Sequence, residues 1–264
     1  MKSKPNIYRV KIAETEDELR GAQRLRYRVF VEEMGATARP EEHAARLEWD
    51  EFDPYFDHLI LLADGDDTEA MDPLDRVVGV YRLMRDDAAK AGRGFYGATE
   101  YDLSLLERSG RKLVELGRSC VAADHRGGVG MHLLWSELAR YVLERDIEIL
   151  FGTASFHGTD PEPISDALAF LHHRHLAPDD LRVRALDAHY LDMNLRAPGE
   201  IDTARAARQI PPLLKSYLRL GGFVGDGAFV DHGFNTIDVC VVMDTGRMQE
   251  NYRRFYERDR RTRP

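Results

Sequence analysis

The sequence predicts an α/β fold. Strand-like and helix-like segments alternate along most of the 264 residues, a glycine-rich turn joins one strand directly to one helix, and 43% apolar content is enough for a full core. Residues 8–13 alternate like a strand, and 16–33 read as a helix with Leu19, Ala22, Leu25, Val29 and Phe30 on one face. A polar loop is expected over 35–48. Residues 58–63 and 77–84 read as paired strands around a charged connection holding Gly65, Asp66, Asp67 and Pro73. Residues 112–121 form the next strand, and 131–144 a helix carrying Leu134, Leu138, Tyr141 and Val142 on one face. A strand over 148–155 and a helix over 163–175, begun by proline, complete a β-α-β-β-β-α-β-α order. Residues 182–191 and 198–208 show no clear period and read as an insertion. A short helix over 211–220 places Leu213, Leu214 and Tyr217 together and ends at Gly221-Gly222. Residues 223–230 and 236–243 then form a hairpin across Asp231-His232-Gly233. The expected division is a core over 1–200 and a C-terminal extension over 201–264.

The junction near residue 121 is the most informative stretch. Glu115, Arg118, Ser119, Cys120 and Val121 lead into His125-Arg126-Gly127-Gly128-Val129-Gly130. A strand feeding a glycine turn and then a helix aims unpaired backbone N–H groups and a positive helix end at one point. That geometry suits a phosphate or pyrophosphate, although an ordinary tight turn uses the same glycines.

Composition narrows the function. With 46 acidic against 37 basic residues and a net charge of -9, the chain is not a general nucleic-acid binder, which needs a basic surface. Cys120 and Cys240 fit a reduced compartment and offer no metal spacing. His172, His173 and His175 lack an accompanying carboxylate motif, so no metal is expected. Apolar runs are too short to cross a bilayer and residues 1–7 lack a signal-peptide core, which makes the cytoplasm the expected compartment. Arg253, Arg254, Arg258, Arg260, Arg261 and Arg263 crowd the C-terminus around Tyr252, Phe255 and Tyr256. Such a tail suits peripheral contact with the anionic inner membrane surface, and equally a solvated terminal helix.

The element order, with the turn between the fourth strand and its helix, resembles the GNAT superfamily of N-acyltransferases. Arg26-x-x-x-Phe30, Glu48-x-Asp50-x-x-Asp53, Arg82 after Val78-Gly79-Val80-Tyr81, and Glu115-x-x-Arg118-Ser119 recur in this order in acyl-homoserine-lactone synthases. A wider resemblance covers nearly the whole chain. Leu150-Phe-Gly-Thr-Ala-Ser-Phe-His-Gly158, Pro211-Pro-Leu-Leu-Lys-Ser-Tyr-Leu-Arg-Leu-Gly221 and Phe234-Asn-Thr-Ile-Asp-Val239 resemble the L-ornithine N(alpha)-acyltransferases of ornithine-lipid synthesis, some of them labelled haemolysin-like. The resemblance implies a central mixed, mostly antiparallel sheet flanked by helices, with a C-terminal helical and hairpin elaboration. It also implies a long, 3-hydroxy acyl chain moved from the phosphopantetheine thioester of acyl carrier protein to the α-amino group of ornithine, giving lyso-ornithine lipid. The donor is a substrate, and no cofactor is permanently bound. Two departures stand out: His125 replaces the usual Arg or Gln at the head of the turn, and no aromatic follows Phe30 closely, as lactone synthases require for their acceptor.

Amide formation from a thioester needs a neutral amine, a polarised carbonyl and a path for one proton. Within the resemblance, Glu48 is the first candidate base and Glu115 the second, and a bulge is needed for Glu115 and Arg118 to share a face. Arg26, Phe30, Asp50, Asp53, Arg82 and Arg118 are expected around the acceptor, whose two ammonium groups and one carboxylate match their opposing charges. The same charges read also as an ion-pair network that pins the first helix to the sheet. Ser119 and the N–H groups of 119–121 are expected at the thioester carbonyl, and Arg126, Gly127, Gly128 and Gly130 at the pantetheine phosphate. Cys120 reads as a buried small hydrophobe. The rival functions are lactone synthase, acetyl-CoA-dependent N-acetyltransferase, and a non-enzymatic protein binding acyl carrier protein or membrane.

Overall fold

Apolar runs bounded by turns give eleven strands, and amphipathic stretches give eight α-helices, among the described residues. The computed structural model describes residues 7–64, 71–127 and 129–247. In chain order the elements are β1 (Ile7–Ile12), α1 (Glu16–Arg26), α2 (Pro40–Ala45), β2 (Asp57–Asp64), β3 (Val77–Arg85), α3 (Asp86–Ala91), β4 (Tyr101–Asp102), α4 (Ser104–Glu107), β5 (Leu113–Val121) and α5 (Val129–Glu144). There follow β6 (Ile149–His157), α6 (Ser165–His175), β7 (Arg184–Ala185), β8 (Tyr190–Leu191), α7 (Thr203–Gln209), α8 (Pro212–Arg219), β9 (Phe223–Val224), β10 (Ala228–Asp231) and β11 (Thr236–Asp244). The fold is mixed α/β, with mostly antiparallel strand pairing and flanking helices, as the sequence predicts. The described residues fall into two compact units, one within Met1–Met84 and Leu116–Arg145, the other within Arg85–Glu115 and Asp146–Pro264.

In the first unit β1, β2 and β3 pair antiparallel, with His58 opposite Arg82, and the Ala122 N–H extends the order by donating to the Val78 carbonyl at 2.9 Å. Helix α1 starts at a capping box: the Glu18 N–H donates to Thr15 Oγ1 and the Thr15 N–H to Glu18 Oε2. Its buried face carries Gly21, Ala22, Leu25 and Arg26. The helix expected over 16–33 changes pitch at its end: residues Tyr27–Glu33 form a π-helix, closed by the Met34 N–H on the Val29 carbonyl at 3.0 Å. Here consecutive residues Arg26 and Tyr27 are both buried, each with its own polar partner. Helix α5 packs on β2, where Leu61 meets Gly130, and Tyr141 donates to Asp57 Oδ2 at 2.6 Å.

In the second unit β11 pairs antiparallel with β6 from Thr236↔His157 to Asp244↔Ile149, and β9 and β10 also pair with β11. Residues 113–115 of β5 pair parallel with β6. The predicted final hairpin is present, split into β9, β10 and β11 because the chain bends through Gly225 and Gly227, where a Cβ would strike Val183 and the Tyr190 ring. Residues 182–191 supply β7 and β8, and 198–208 supply most of α7, so the insertion is built of short elements. Tyr101 anchors this unit, its hydroxyl donating to the carbonyls of Gly227 and Asp238 at 3.1 and 2.9 Å. His173, at the end of α6, contacts the Arg196 carbonyl at 3.1 Å and so ties a loop.

Gly21 shows how closely α1 sits in the first unit. A Cβ there would lie 2.6 Å from Val77 Cγ2 and 2.9 Å from the Leu74 carbonyl oxygen. Backbone cannot give way cheaply, so the helix-propensity gain of about 1 kcal/mol is outweighed. Gly21→Ala is expected to destabilise the protein by about 1–2 kcal/mol in urea unfolding.

Candidate active site

Three guanidinium groups and three carboxylates meet in the first unit. Arg26, at the end of α1, is fully buried: Nη1 and Nη2 donate to Asp53 Oδ1 and Oδ2 at 2.9 and 2.8 Å, Nε donates to Glu48 Oε2, and Nη2 also reaches the Glu48 carbonyl at 2.6 Å. Arg82 of β3 donates through Nη1 to Asp50 Oδ2 and Asp53 Oδ1, both at 2.7 Å, and its guanidinium lies 4.2 Å from the Phe56 ring centroid. Arg118 of β5 donates through Nε to Glu48 Oε1 at 3.1 Å, and its Nη2 lies 3.4 Å from Asp50 Oδ2. Of the six side chains, Asp50 is the most open to solvent, at 20% exposed.

Local sequence delivers each group. The segment expected as a loop over 35–48 contains α2, begun by Pro40 at its first turn and ended by Arg46 in the left-handed conformation. Buried Glu42 accepts from the Arg39 N–H at 2.7 Å and the Trp49 N–H at 3.2 Å, and the Glu48 N–H donates to the Gln23 carbonyl at 3.0 Å. Glu48 is thereby carried back to α1. Asp50 bends the chain by accepting from the Phe52 N–H, and Gln23 Nε2 donates to Asp53 Oδ2 at 3.0 Å. Arg118 has φ +49°, a left-handed residue in mid-strand, which breaks the side-chain alternation of β5. With this irregularity in β5, Arg118 enters the cluster. Glu115 is held within the second unit, its Oε2 and Oε1 accepting from the Tyr96 and Gly97 N–H groups at 2.8 and 2.6 Å.

The charges set one another's ionisation. Burial by itself would raise the Glu48 carboxyl, but Arg26, then Arg118 and Arg82, outweigh it and hold it at about 2. Asp53 is likewise held far below the carboxylate range by Arg26 and Arg82 against the cost of burial. Burial opposes the Arg26 charge, yet Glu48 and Asp53 prevail and raise its pKa. His58, which no motif singled out, sits beside the cluster with Nε2 3.2 Å from the Asp53 carbonyl oxygen. That contact places a proton on Nε2 and leaves Nδ1 buried without a hydrogen-bond partner among the described residues. Burial and the Arg26 charge push His58 down to about 4, against the pull of Asp53. Its position opposite Arg82 in the strand register was the signal that could have found it.

The turn toward α5 has its own contacts. Arg126 donates through Nε to the Val121 carbonyl at 2.8 Å and through both Nη atoms to Glu33. Gly127 has φ +74°, and Gly128 lies outside the described residues. Gly130 is buried, and a Cβ there would stand 2.7 Å from Leu61 Cδ2, so its lack of a side chain lets α5 approach β2. His125 Nδ1 and the Tyr8 hydroxyl lie 2.9 Å apart. Phe30 and Ser119 are half-buried, and burial pushes the Cys120 thiol up to about 12, which removes it as a nucleophile near neutral pH. In the second unit Glu100, Asp231 and Asp238 bring carboxylate oxygens within 4.8 Å of one another; Asp231 Oδ1 accepts from the Gly233 and Phe234 N–H groups and Asp238 Oδ2 from Thr236 Oγ1.

A mostly antiparallel α/β fold, a strand that turns through glycine into a helix and a charged cluster drawn from α1, the loop over 48–53, β3 and β5 are the setting of a GNAT-type N-acyltransferase, the class to which comparison with known proteins assigns the chain. Residues 25–136 match the family described as Acetyltransferase (GNAT) domain. The structure of FeeM, an N-acyl amino acid synthase from uncultured soil microbes, shares the fold with a TM-score of 0.50 at 14% identity, over 92% of this chain and 93% of that chain. The chain is 54% identical to the L-ornithine N(alpha)-acyltransferase of Rhodobacter capsulatus, over 98% of each, and 40% identical to that of Brucella abortus, over 94% of this chain and 88% of the relative. The chain belongs to the L-ornithine N(alpha)-acyltransferase family.

Arg26→Met leaves Glu48 and Asp53 buried and under-compensated, and is expected to lower stability by about 3–5 kcal/mol in chemical unfolding. The pH dependence follows from His58, whose folded pKa of about 4 lies below its ordinary 6.5. Between those values the unfolded chain binds the extra proton, so stability is complete above about 6.5 and falls as pH drops toward 4, by on the order of 3 kcal/mol. His58→Gln is expected to flatten the stability profile across that window, measured by urea unfolding at several pH values.

Proposed function

We propose that this N-acyltransferase moves a long 3-hydroxy fatty acyl chain from the phosphopantetheine thioester of acyl carrier protein to the α-amino group of ornithine, giving lyso-ornithine lipid. The observation that carries the reading is the 54% identity, over 98% of the chain, to a protein named for that acceptor. The cluster supports it chemically. Asp50 and Arg118 are its more open members, at 20% and 11% side-chain exposure, and offer an anion for an ammonium beside a cation for a carboxylate. Arg26, Arg82 and Asp53 hold that edge in place, and Phe30 is assigned to the acceptor side.

The reaction in this reading is a direct attack. The amine nitrogen forms a bond to the thioester carbonyl carbon, the carbon–sulfur bond breaks, and the proton lost by nitrogen balances the thiolate that leaves, through solvent. Glu48, held at about 2, is too weak a base to draw a proton from an ammonium near neutral pH. Its role here is to keep Arg26 and Arg118 oriented, and the proton departs to water at the Asp50 edge. Glu115, with both oxygens on backbone N–H groups, anchors the turn at Tyr96 and Gly97. Ser119 and the backbone N–H groups of 119–121 polarise the carbonyl. Arg126, Gly127, Gly128 and Gly130 receive the pantetheine phosphate at the start of α5. The partners are acyl carrier protein and ornithine, without nucleic acid.

Among the described residues no helix is long and apolar enough to cross a membrane. The proposed location is the cytoplasm, with peripheral contact to the inner membrane through the basic tail, whose residues 248–264 lie outside the described ones.

Purified protein offered 3-hydroxyacyl carrier protein, long acyl-CoA or acetyl-CoA, with ornithine, lysine or glutamine, is expected to yield a monoacyl ornithine species by mass spectrometry, fastest from the carrier-protein donor. Turnover of acetyl-CoA alone, or binding of acyl carrier protein without turnover, sinks the proposal. Glu48→Gln is expected to lower kcat/KM by at least about tenfold through misplaced arginines while the shape of the pH–rate profile is kept. Disappearance of an ionisation from that profile would restore Glu48 as the base.

A further inference from the structure

The guanidinium of Arg126 is held on two sides within the first unit. Nε donates to the Val121 carbonyl at 2.8 Å, which orients the group where β5 ends. Nη1 and Nη2 donate to the two oxygens of Glu33, Nη2 to Oε2 at 2.7 Å. Of the five N–H donors that an arginine carries, the parallel pair that best fits two oxygens of a phosphate is therefore filled by a carboxylate. Glu33 is the last residue of the π-helix, 93 positions away in sequence, and Arg126 in turn lowers its pKa. Both side chains are well exposed, at 42% and 44%, so the pair is weak and readily exchanged. Gly127 follows with φ +74°, and α5 begins two residues later at Val129, so the fork belongs to the segment that leads into that helix.

We propose that Glu33 is a donor-specificity residue: its carboxylate occupies the fork of Arg126 and must be displaced by the phosphate of the acyl donor. The inference rests on the donor-site reading of Arg126 given above. Glu33 keeps the fork neutral when no donor is bound, so small or weakly charged anions gain little by entering. A phosphate tethered to a correctly seated pantetheine arm displaces it because it also gains the backbone donors of the helix start.

The test is steady-state kinetics of the full chain with acyl carrier protein thioester as varied donor and ornithine as varied acceptor, with free coenzyme A as competing anion. Glu33→Gln is expected to lower the donor KM by about twofold to fivefold and to strengthen inhibition by coenzyme A, with the ornithine KM unchanged. Arg126→Gln is expected to raise the donor KM, and in the double variant the effect of Glu33→Gln should vanish. If Arg126→Gln raises the donor KM while Glu33→Gln raises it too or leaves it unchanged, Glu33 only positions Arg126 and the inference is overturned while the donor site stands. An unchanged donor KM in Arg126→Gln overturns the donor site itself, and the inference with it. Both positions are surface-exposed, and thermal unfolding of each variant checks that the fold is kept.

Discussion

A fully buried guanidinium has to be met by carboxylates wherever it lies, and Arg26 imposes that condition on the first unit. Its side chain is shut away from water, so Glu48 and Asp53 must come to it from a loop more than twenty residues downstream. The loop is shaped for that purpose: a short helix, a left-handed closing residue, a buried Glu42 that ties its ends, and an aspartate turn that returns Asp53 to α1. Arg82 and Arg118 then bring the cluster to three charges of each sign. Such a network is weak evidence for stability, since apolar packing of equal volume often does as well. Its orientation of Asp50 and Arg118 at the more open edge is what the proposed acceptor site rests on.

Two backbone irregularities adjoin the cluster. The π-helical turn follows directly after Arg26, and the left-handed residue of β5 is Arg118 itself. Each departs from the cheapest local geometry, by roughly 1 kcal/mol or more for a left-handed non-glycine residue. At Arg118 the irregular residue is itself a cluster member, and its contacts with Glu48 and Asp50 accompany the left-handed backbone. His58 shows the same logic in a neutral group, kept uncharged by burial and by Arg26, with its ring bonded to the backbone that carries Asp53.

The turn before α5 serves two physical ends. Gly127 supplies a positive φ and thereby the change of direction, whereas Gly130 is absent of side chain so that α5 can lie against Leu61. A glycine pattern that looks like an anion cradle is thus partly a packing requirement. The same economy applies to Arg126, whose contact with Val121 secures the end of β5 while its fork faces an exposed carboxylate.

Much of this was legible in the chain. Periodicity identified the strands and helices that carry the two units, because burial of an apolar face imposes period 2 or 3.6 directly on residue order. The motifs from Arg26 to Arg118 marked the six charged residues that meet, and with them Glu115, which is bonded to the Tyr96 and Gly97 N–H groups. What residue order could not show is which oxygen each guanidinium takes. That depends on through-space distances among segments far apart in sequence, and it is those distances that hold Glu48 well below the carboxylate range and leave Asp50 the most exposed of the three carboxylates. The π-turn, the left-handed Arg118, the helix inside a polar loop and the capture of Arg126 by Glu33 were equally invisible, because none follows from local propensity. Sequence alone determined the elements, the family resemblance and the supply of charges. Tertiary structure decided their partners and hence their protonation, because electrostatic energy depends on separation and burial, which only the folded chain defines.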